Sequence, residues 1–137
     1  MLALDTSLVM DLLSGESALV AKAKWYFKLV SQQSCVVSSV LLTELVFHIA
    51  RRRGSLFAAE AAVLIRNYPN LTVIDVTDEI AIMAGNLRNK YYNRRDREIS
   101  FLDCIHLATA VISGATLFVT SDNDFAGVDE IKVALYR

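Results

Sequence analysis

Five acids of this 137-residue chain, Asp5, Glu44, Asp103, Asp122 and Asp124, are the residues whose type and placement point to chemistry. Taken singly, most have an ordinary role. Asp5 can open a turn or cap the helix after it, and Asp122 and Asp124 can do the same in their Asn-containing turn. Ser100 and Asp103 fit the S-x-x-[DE] capping box of a helix start. Glu44 fits no such rule, because Ser38 and Ser39 as caps would pair with Leu41 or Leu42, and its neighbours Leu42, Leu45 and Val46 are apolar. If all five share one rim, two carboxylates about 4 Å apart repel by roughly 4 kcal/mol at an effective dielectric near 20, and several such pairs strain a marginally stable domain. A divalent cation removes that strain. Oxygen-only ligation without His or Cys favours Mg²⁺ or Mn²⁺ over zinc, and such an ion keeps waters that can become nucleophiles. The chemistry this suits is hydrolysis of a phosphodiester.

The elements that must position these acids read as alternating strands and helices. MLAL is a short strand ending at Asp5, followed by a short helix with Thr6 and Ser7 as cap candidates and Gly15 as its stop. From Ala18 to Val30 an amphipathic helix places Leu19, Ala23, Tyr26, Phe27 and Val30 on one face and Lys22, Lys24 and Lys28 away from it. CVVS is a strand, VLLTELVFHIARRR a helix closed by Gly54, and Leu56 to Asn67 a further helix ended by Pro69. LTVIDV is a strand, and Asp75, Thr77, Asp78 and Glu79 open the helix IAIMAGNLRNKYY. Ile99 to Ala110 forms a helix whose only charged residue is Asp103; TLFVTS and IKVALY are the last strands. Strands alternating with long helices imply a parallel sheet covered on both faces. In such a sheet ligands bind at the carboxyl ends of the strands, near the topological switch point, and the five acids can all reach that rim.

In order and spacing, Asp5 in LALDTS, Glu44 in SSVLLTEL, Asp103 in SFLDCIHLATA and Asp122 with Asp124 in TSDNDF resemble the acidic signature of PIN-domain ribonucleases. The small size, with no appended domain, resembles the VapC-type toxins of prokaryotic toxin–antitoxin pairs. The likeness covers essentially the whole chain, residues 1–137, as a single domain. It implies a three-layer α/β/α sandwich around a central parallel sheet, Mg²⁺- or Mn²⁺-dependent endoribonuclease activity, a homodimer and a small antitoxin partner. By the same likeness Asp5, Glu44, Asp103 and Asp122 are a catalytic, metal-binding quartet, and Asp124 is an additional metal-binding acid. Phe125 matches the aromatic packed behind that acid, and Thr6 and Thr120 match hydroxyls that support the acids or orient a water.

The segment RNKYYNRRDR carries Arg88, Lys90, Arg94, Arg95 and Arg97 beside Tyr91 and Tyr92. As a functional element it grips RNA phosphates and stacks bases; as a structural one it is a solvated helix end whose cations favour the helix C-terminus. Arg51, Arg52 and Arg53 face the same choice and lean to the structural role. His106, three residues after Asp103 in apolar surroundings, reads as a core residue or a support for the acids, and His48 has no assigned role. Trp25, Tyr26 and Phe27 serve either the core or a partner surface.

Composition sets the bounds. A net charge of −1 and a pI near 6.1 give no global attraction to nucleic acid, so such binding must rest on local patches. An apolar fraction of 54% and a mean hydropathy of +0.38 imply elements buried on two sides or an apolar surface given to a partner. No stretch reads as a membrane span or a signal peptide, so the expected location is the cytoplasm. Cys35 and Cys104 have no second ligand at metal spacing and read as small core residues. The competing readings are a catalytically silent module of the same fold that binds RNA or protein, and a housekeeping RNA-processing nuclease, the latter disfavoured by the missing zinc ribbon.

Overall fold

A computed structural model describes residues 1–14 and 17–137, so the expected helix stop at Gly15 lies outside the described residues. In chain order the elements are β1 (Leu2–Leu4), α1 (Thr6–Ser14), α2 (Ser17–Val30), β2 (Cys35–Ser38), α3 (Val40–Arg53), α4 (Ser55–Arg66), β3 (Leu71–Ile74), α5 (Asp78–Tyr91), α6 (Phe101–Ile112), β4 (Leu117–Thr120) and β5 (Val133–Leu135). A single 3₁₀ turn, Asn123–Phe125, follows β4. The five strands pair in the order β3-β2-β1-β4-β5, all parallel. This is the covered parallel sheet expected from the alternating pattern.

Strand alternation divides the core into two layers. Leu2 and Leu4 of β1, Cys35 and Val37 of β2 and Val119 of β4 face one cluster, which α1 to α4 complete with Leu8, Ala23, Leu41, Leu45 and Ile65. Ala3, Val36 and Phe118 face the other, built by Ile80, Ala84 and Leu87 of α5 and Cys104, Leu107 and Ala108 of α6. Helices thus cover both faces, giving three layers. The helix boundaries follow local chemistry. Gly54 at φ 90° stops α3, in a region that L side chains rarely adopt, and Thr77 caps α5 by accepting from the Ile80 amide at 3.3 Å. Ser39 makes no side-chain cap bond, and at the start of α3 the Val40 amide donates to Ser38 Oγ at 3.4 Å.

From β1 the chain builds β2 and β3 on one side, then returns to place β4 on the other side of β1. The switch point therefore lies between the carboxyl ends of β1 and β4, where Asp5 and Asp122 follow. The high apolar content is not all interior: Leu56, Val63 and Leu64 of α4 are exposed. Trp25 is exposed as well, whereas Tyr26 and Phe27 pack on Tyr136 and Tyr68 at 5.4 and 5.0 Å. Among the described residues, no helix is long and apolar enough to cross a membrane.

Gly85 sits in mid-α5 without a positive φ, and a Cβ added there would meet nothing within 4 Å. Neither backbone nor packing requires glycine. Gly85→Ala is expected to raise stability by about 0.5–1 kcal/mol, the usual helix-interior difference, read as a higher midpoint in urea denaturation; an unchanged or lower midpoint would refute it.

Candidate functional site

Each acid is carried to the switch point by the element before it. Asp5 follows β1 directly; its amide donates to the Val119 carbonyl at 3.1 Å, so the residue is locked to the end of β4. The side chain is 4% exposed, and its Oδ2 accepts from the Thr120 hydroxyl at 2.8 Å. The same Thr120 oxygen accepts from the Asp122 amide at 2.9 Å. One hydroxyl therefore joins the two acids that flank the switch. Asp122 in turn accepts from the Asp124 amide at 2.9 Å, closing the 3₁₀ turn, and Phe125 packs on Phe118 with ring centroids 4.8 Å apart.

The capping role weighed for Asp103 is present. Ser100 and Asp103 complete a reciprocal capping box: the Asp103 amide donates to Ser100 Oγ at 3.0 Å and the Ser100 amide donates to Asp103 Oδ2 at 2.7 Å. One oxygen is fixed by the helix start and the other is left for the rim. Asp103, Asp122 and Asp124 each bring a carboxylate oxygen within 4.8 Å of the other two. Burial, then the charges of Asp122 and Asp103, push the Asp124 carboxyl above its ordinary pKa, against the opposing pull of Arg97. A set of oxygen donors crowded with like charge is the arrangement that a hard divalent cation relieves, so these residues fit Mg²⁺ or Mn²⁺.

Among the described residues Asp103, Asp122 and Asp124 form the group with mutual 4.8 Å spacing, while Asp5 and Glu44 are hydrogen-bonded to other partners. Asp5 is bonded to Thr120 and, at 3.4 Å, to the Ser7 amide. Glu44 Oε2 accepts from Thr6 Oγ1 and bonds His106 Nε2 at 2.8 Å, while Thr6 Oγ1 and His106 Nε2 lie 2.9 Å apart. His106 is 2% exposed and its Nδ1 is buried without a partner, so the ring is held from one nitrogen. Burial lowers the imidazole pKa, but the Glu44 bond and the charges of Asp5, Glu44 and Asp103 outweigh it, and the net direction is up. For Glu44 burial raises the pKa, and the bonds from His106 and Thr6 with the charges of His106 and His48 bring it down. Glu44 thus belongs to a set with Thr6 and His106, whereas Asp5 is tied to Thr120.

Behind Asp5 lies a polar lattice that the sequence did not disclose. Ser7 Oγ sits 3.2 Å from the Thr120 hydroxyl and accepts from the Ser121 amide at 3.0 Å. Asp11 accepts from Ser121 Oγ at 2.6 Å and from the Tyr136 hydroxyl at 2.7 Å, tying α1 to the chain after β5. The only sequence signal was apolar-helix placement: Asp11 is an acid in an otherwise uncharged helix.

The five basic residues proposed for RNA are placed differently from one another. Lys90 is paired with Glu130 at 2.8 Å and Asp129 at 3.5 Å, and Arg97 donates to the Ala126 carbonyl and lies over the Tyr91 ring. Arg88 rests against the rings of Tyr92 and Phe101. Arg94 and Arg95 are exposed on the loop. His48 is exposed, its ring edge-on to Phe47, whereas Cys35 and Cys104 are buried free thiols as expected.

Comparison with known proteins gives one family. The model described as PIN domain matches residues 2–131. VapC20 of Mycobacterium tuberculosis, a sarcin–ricin loop cleaving toxin, is similar in structure with a TM-score of 0.73 and 27% identity, over 96% of this chain and 98% of that one. A toxin–antitoxin complex from Klebsiella pneumoniae gives 0.71 and 20% identity over 100% and 98%. DNA-bound VapBC from Salmonella typhimurium gives 0.72 and 17% over 99% and 98%. At those lower identities the likeness concerns the fold. No curated protein matches by sequence.

Proposed function

Because the chain belongs to the PIN-domain family, we propose that it is a metal-dependent endoribonuclease and the toxin of a type II toxin–antitoxin pair, working in the cytoplasm as a homodimer. The observation that carries this reading is the Asp103–Asp122–Asp124 cluster at the switch point, joined to Asp5 through one shared hydroxyl. Those four residues, with Glu44 beside them, would hold Mg²⁺ or Mn²⁺, which supplies positive charge for phosphate oxygens and acidifies a bound water. The chain's own part is positional. Thr120 orients Asp5 and the Asp122 amide, Ser100 fixes one oxygen of Asp103, and Thr6 with His106 keeps Glu44 ionised and aimed. Preorganised charge of this kind needs no rearrangement when a phosphodiester arrives.

Likeness to a toxin that cleaves an RNA loop supports RNA as substrate, and likeness to toxin–antitoxin complexes supports a small protein inhibitor. An apolar groove of about 240 Å³ between α1, α3 and α4, lined by Met10, Leu13, Ile49, Phe57 and Leu64, offers such an inhibitor a surface to cover. The test is digestion of cellular RNA by the purified chain. Cleavage is expected with Mg²⁺ or Mn²⁺ and is expected to stop with EDTA and return when excess Mn²⁺ is added. Undiminished cleavage in EDTA, or no cleavage with any divalent ion, would overturn the proposal.

A further inference from the structure

We infer that the cleft between α5 and the start of α6 is a stacking subsite for an unpaired nucleobase of RNA, next to the acid cluster. The inference rests on the ribonuclease reading above. The cleft holds about 360 Å³ and is bordered by Gly85, Arg88, Asn89, Tyr92 and Phe101, within the range of small-ligand sites, ~300–1,000 Å³. The Arg88 guanidinium carbon lies 4.3 Å from the Tyr92 ring centroid and 4.0 Å from that of Phe101, and its Nε is buried without a hydrogen-bond partner. The rings are themselves open to solvent: Tyr92 is 42% and Phe101 64% exposed.

Three features separate this cleft from incidental surface packing. First, Gly85 has no backbone or packing reason to be glycine, and a glycine in mid-helix costs stability; its effect is to leave the cleft floor bare. Second, Phe101 is the first residue of α6, adjoining the Ser100 amide that holds Asp103. Third, the chemistry matches an unpaired base, which binds proteins by stacking on aromatic rings and guanidinium planes and by offering its edges to amides such as that of Asn89. A peptide occupant would find a better surface in the apolar groove between α1, α3 and α4, which has a different lining.

The segment's cations then divide their work. Lys90 and Arg97 hold the loop to the stretch around Ala126 to Glu130, Arg88 shapes the base site, and Arg94 and Arg95 remain for phosphates.

The experiment measures binding of a fluorescently labelled pool of randomised single-stranded oligoribonucleotides to the full chain by anisotropy, with Ca²⁺ as counter-ion. Phe101→Ala and Gly85→Leu, one emptying the wall and one filling the floor, are each expected to weaken binding by roughly five- to a hundredfold, as loss of one stacked base does. Phe101→Tyr should restore affinity, and Trp25→Ala, which removes an exposed ring on α2, should bind as the wild type does. Gly85→Leu should melt no lower than the wild type, since it removes a mid-helix glycine and its side chain meets open space, and Phe101→Ala, at a 64% exposed position, should melt near it. If the wild type binds and both variants bind equally well, the subsite is wrong while the ribonuclease reading stands. If the wild type binds no RNA, both fall.

Discussion

Asp122→Asn is expected to lower RNA cleavage by roughly a thousandfold while leaving the metal-free protein as stable as the wild type or more so. The loss follows from removing one charge from a set whose task is to bind a cation, whose contribution to a transition state is several kcal/mol. The opposite sign for stability follows from the geometry. Asp103, Asp122 and Asp124 lie within 4.8 Å of one another, and at that separation a like-charge pair costs about 1 kcal/mol even in a water-like dielectric. Asparagine keeps a side-chain oxygen to accept from the Asp124 amide, the 2.9 Å bond that closes the turn, so the backbone loses nothing. Asp103→Asn provides the contrast: it also relieves repulsion, but it weakens a charge-assisted cap on the Ser100 amide at the start of α6, so it should gain less. Paired urea melts in EDTA and initial-rate assays in Mn²⁺ check both halves. A variant that cleaves normally, or one that is destabilised by more than about 1 kcal/mol, contradicts the picture of a strained acid cluster awaiting a cation.

What the sequence disclosed, and what it withheld, divides by range. The alternation of Leu2, Ala3 and Leu4, the stops at Gly54 and Pro69 and the Ser100–Asp103 box are local, with the physics confined to a few neighbouring residues, and they appear where the pattern put them. Glu44 stood out because no local rule explained it, but its partners are 38 and 62 residues away, at Thr6 and His106. A one-dimensional pattern can flag such a charge without naming its partner. The same limit explains the basic segment. Five cations in a row read as one patch, yet Lys90 is neutralised by Glu130, 40 residues on, and only folding reveals which charges are spent.

The convergence of acids shows the limit most clearly. Strand order fixes which segments meet at the switch point, and this was inferable from the element pattern; side-chain direction at that point was not. Asp5 accepts from the Thr120 hydroxyl and the Ser7 amide, and Glu44 bonds Thr6 Oγ1 and His106 Nε2; Thr120, Thr6 and His106 are buried, and buried polar groups take partners. Polar satisfaction, which operates across the whole fold, gives Asp5 and Glu44 hydrogen-bond partners of their own beside the cluster of three.

His106 is where that division has its largest consequence for stability. His106→Ala is expected to cost about 2–4 kcal/mol, because it opens a cavity at a fully packed position and strips Glu44 and Thr6 of a buried partner. His106→Gln, which can keep one donor on Glu44, should cost less than half of that. The pH profile separates the ion pair from mere packing. The folded imidazole has its pKa raised above 6.5, so its contribution is fully present below about pH 6.5 and is lost as pH rises through the raised value. Glu44 has its pKa lowered below 4.5, so its contribution is present above about pH 4.5 and is lost as pH falls through the lowered value. In EDTA the wild type should therefore be most stable between those two limits and decline on the alkaline side. Neither His106→Gln nor His106→Ala should show that alkaline decline, since neither carries a proton there to lose. A wild-type profile flat from pH 6.5 upwards, or a decline of equal slope in His106→Gln, would mean that the ring serves only as packing and that Glu44 is held by Thr6 alone.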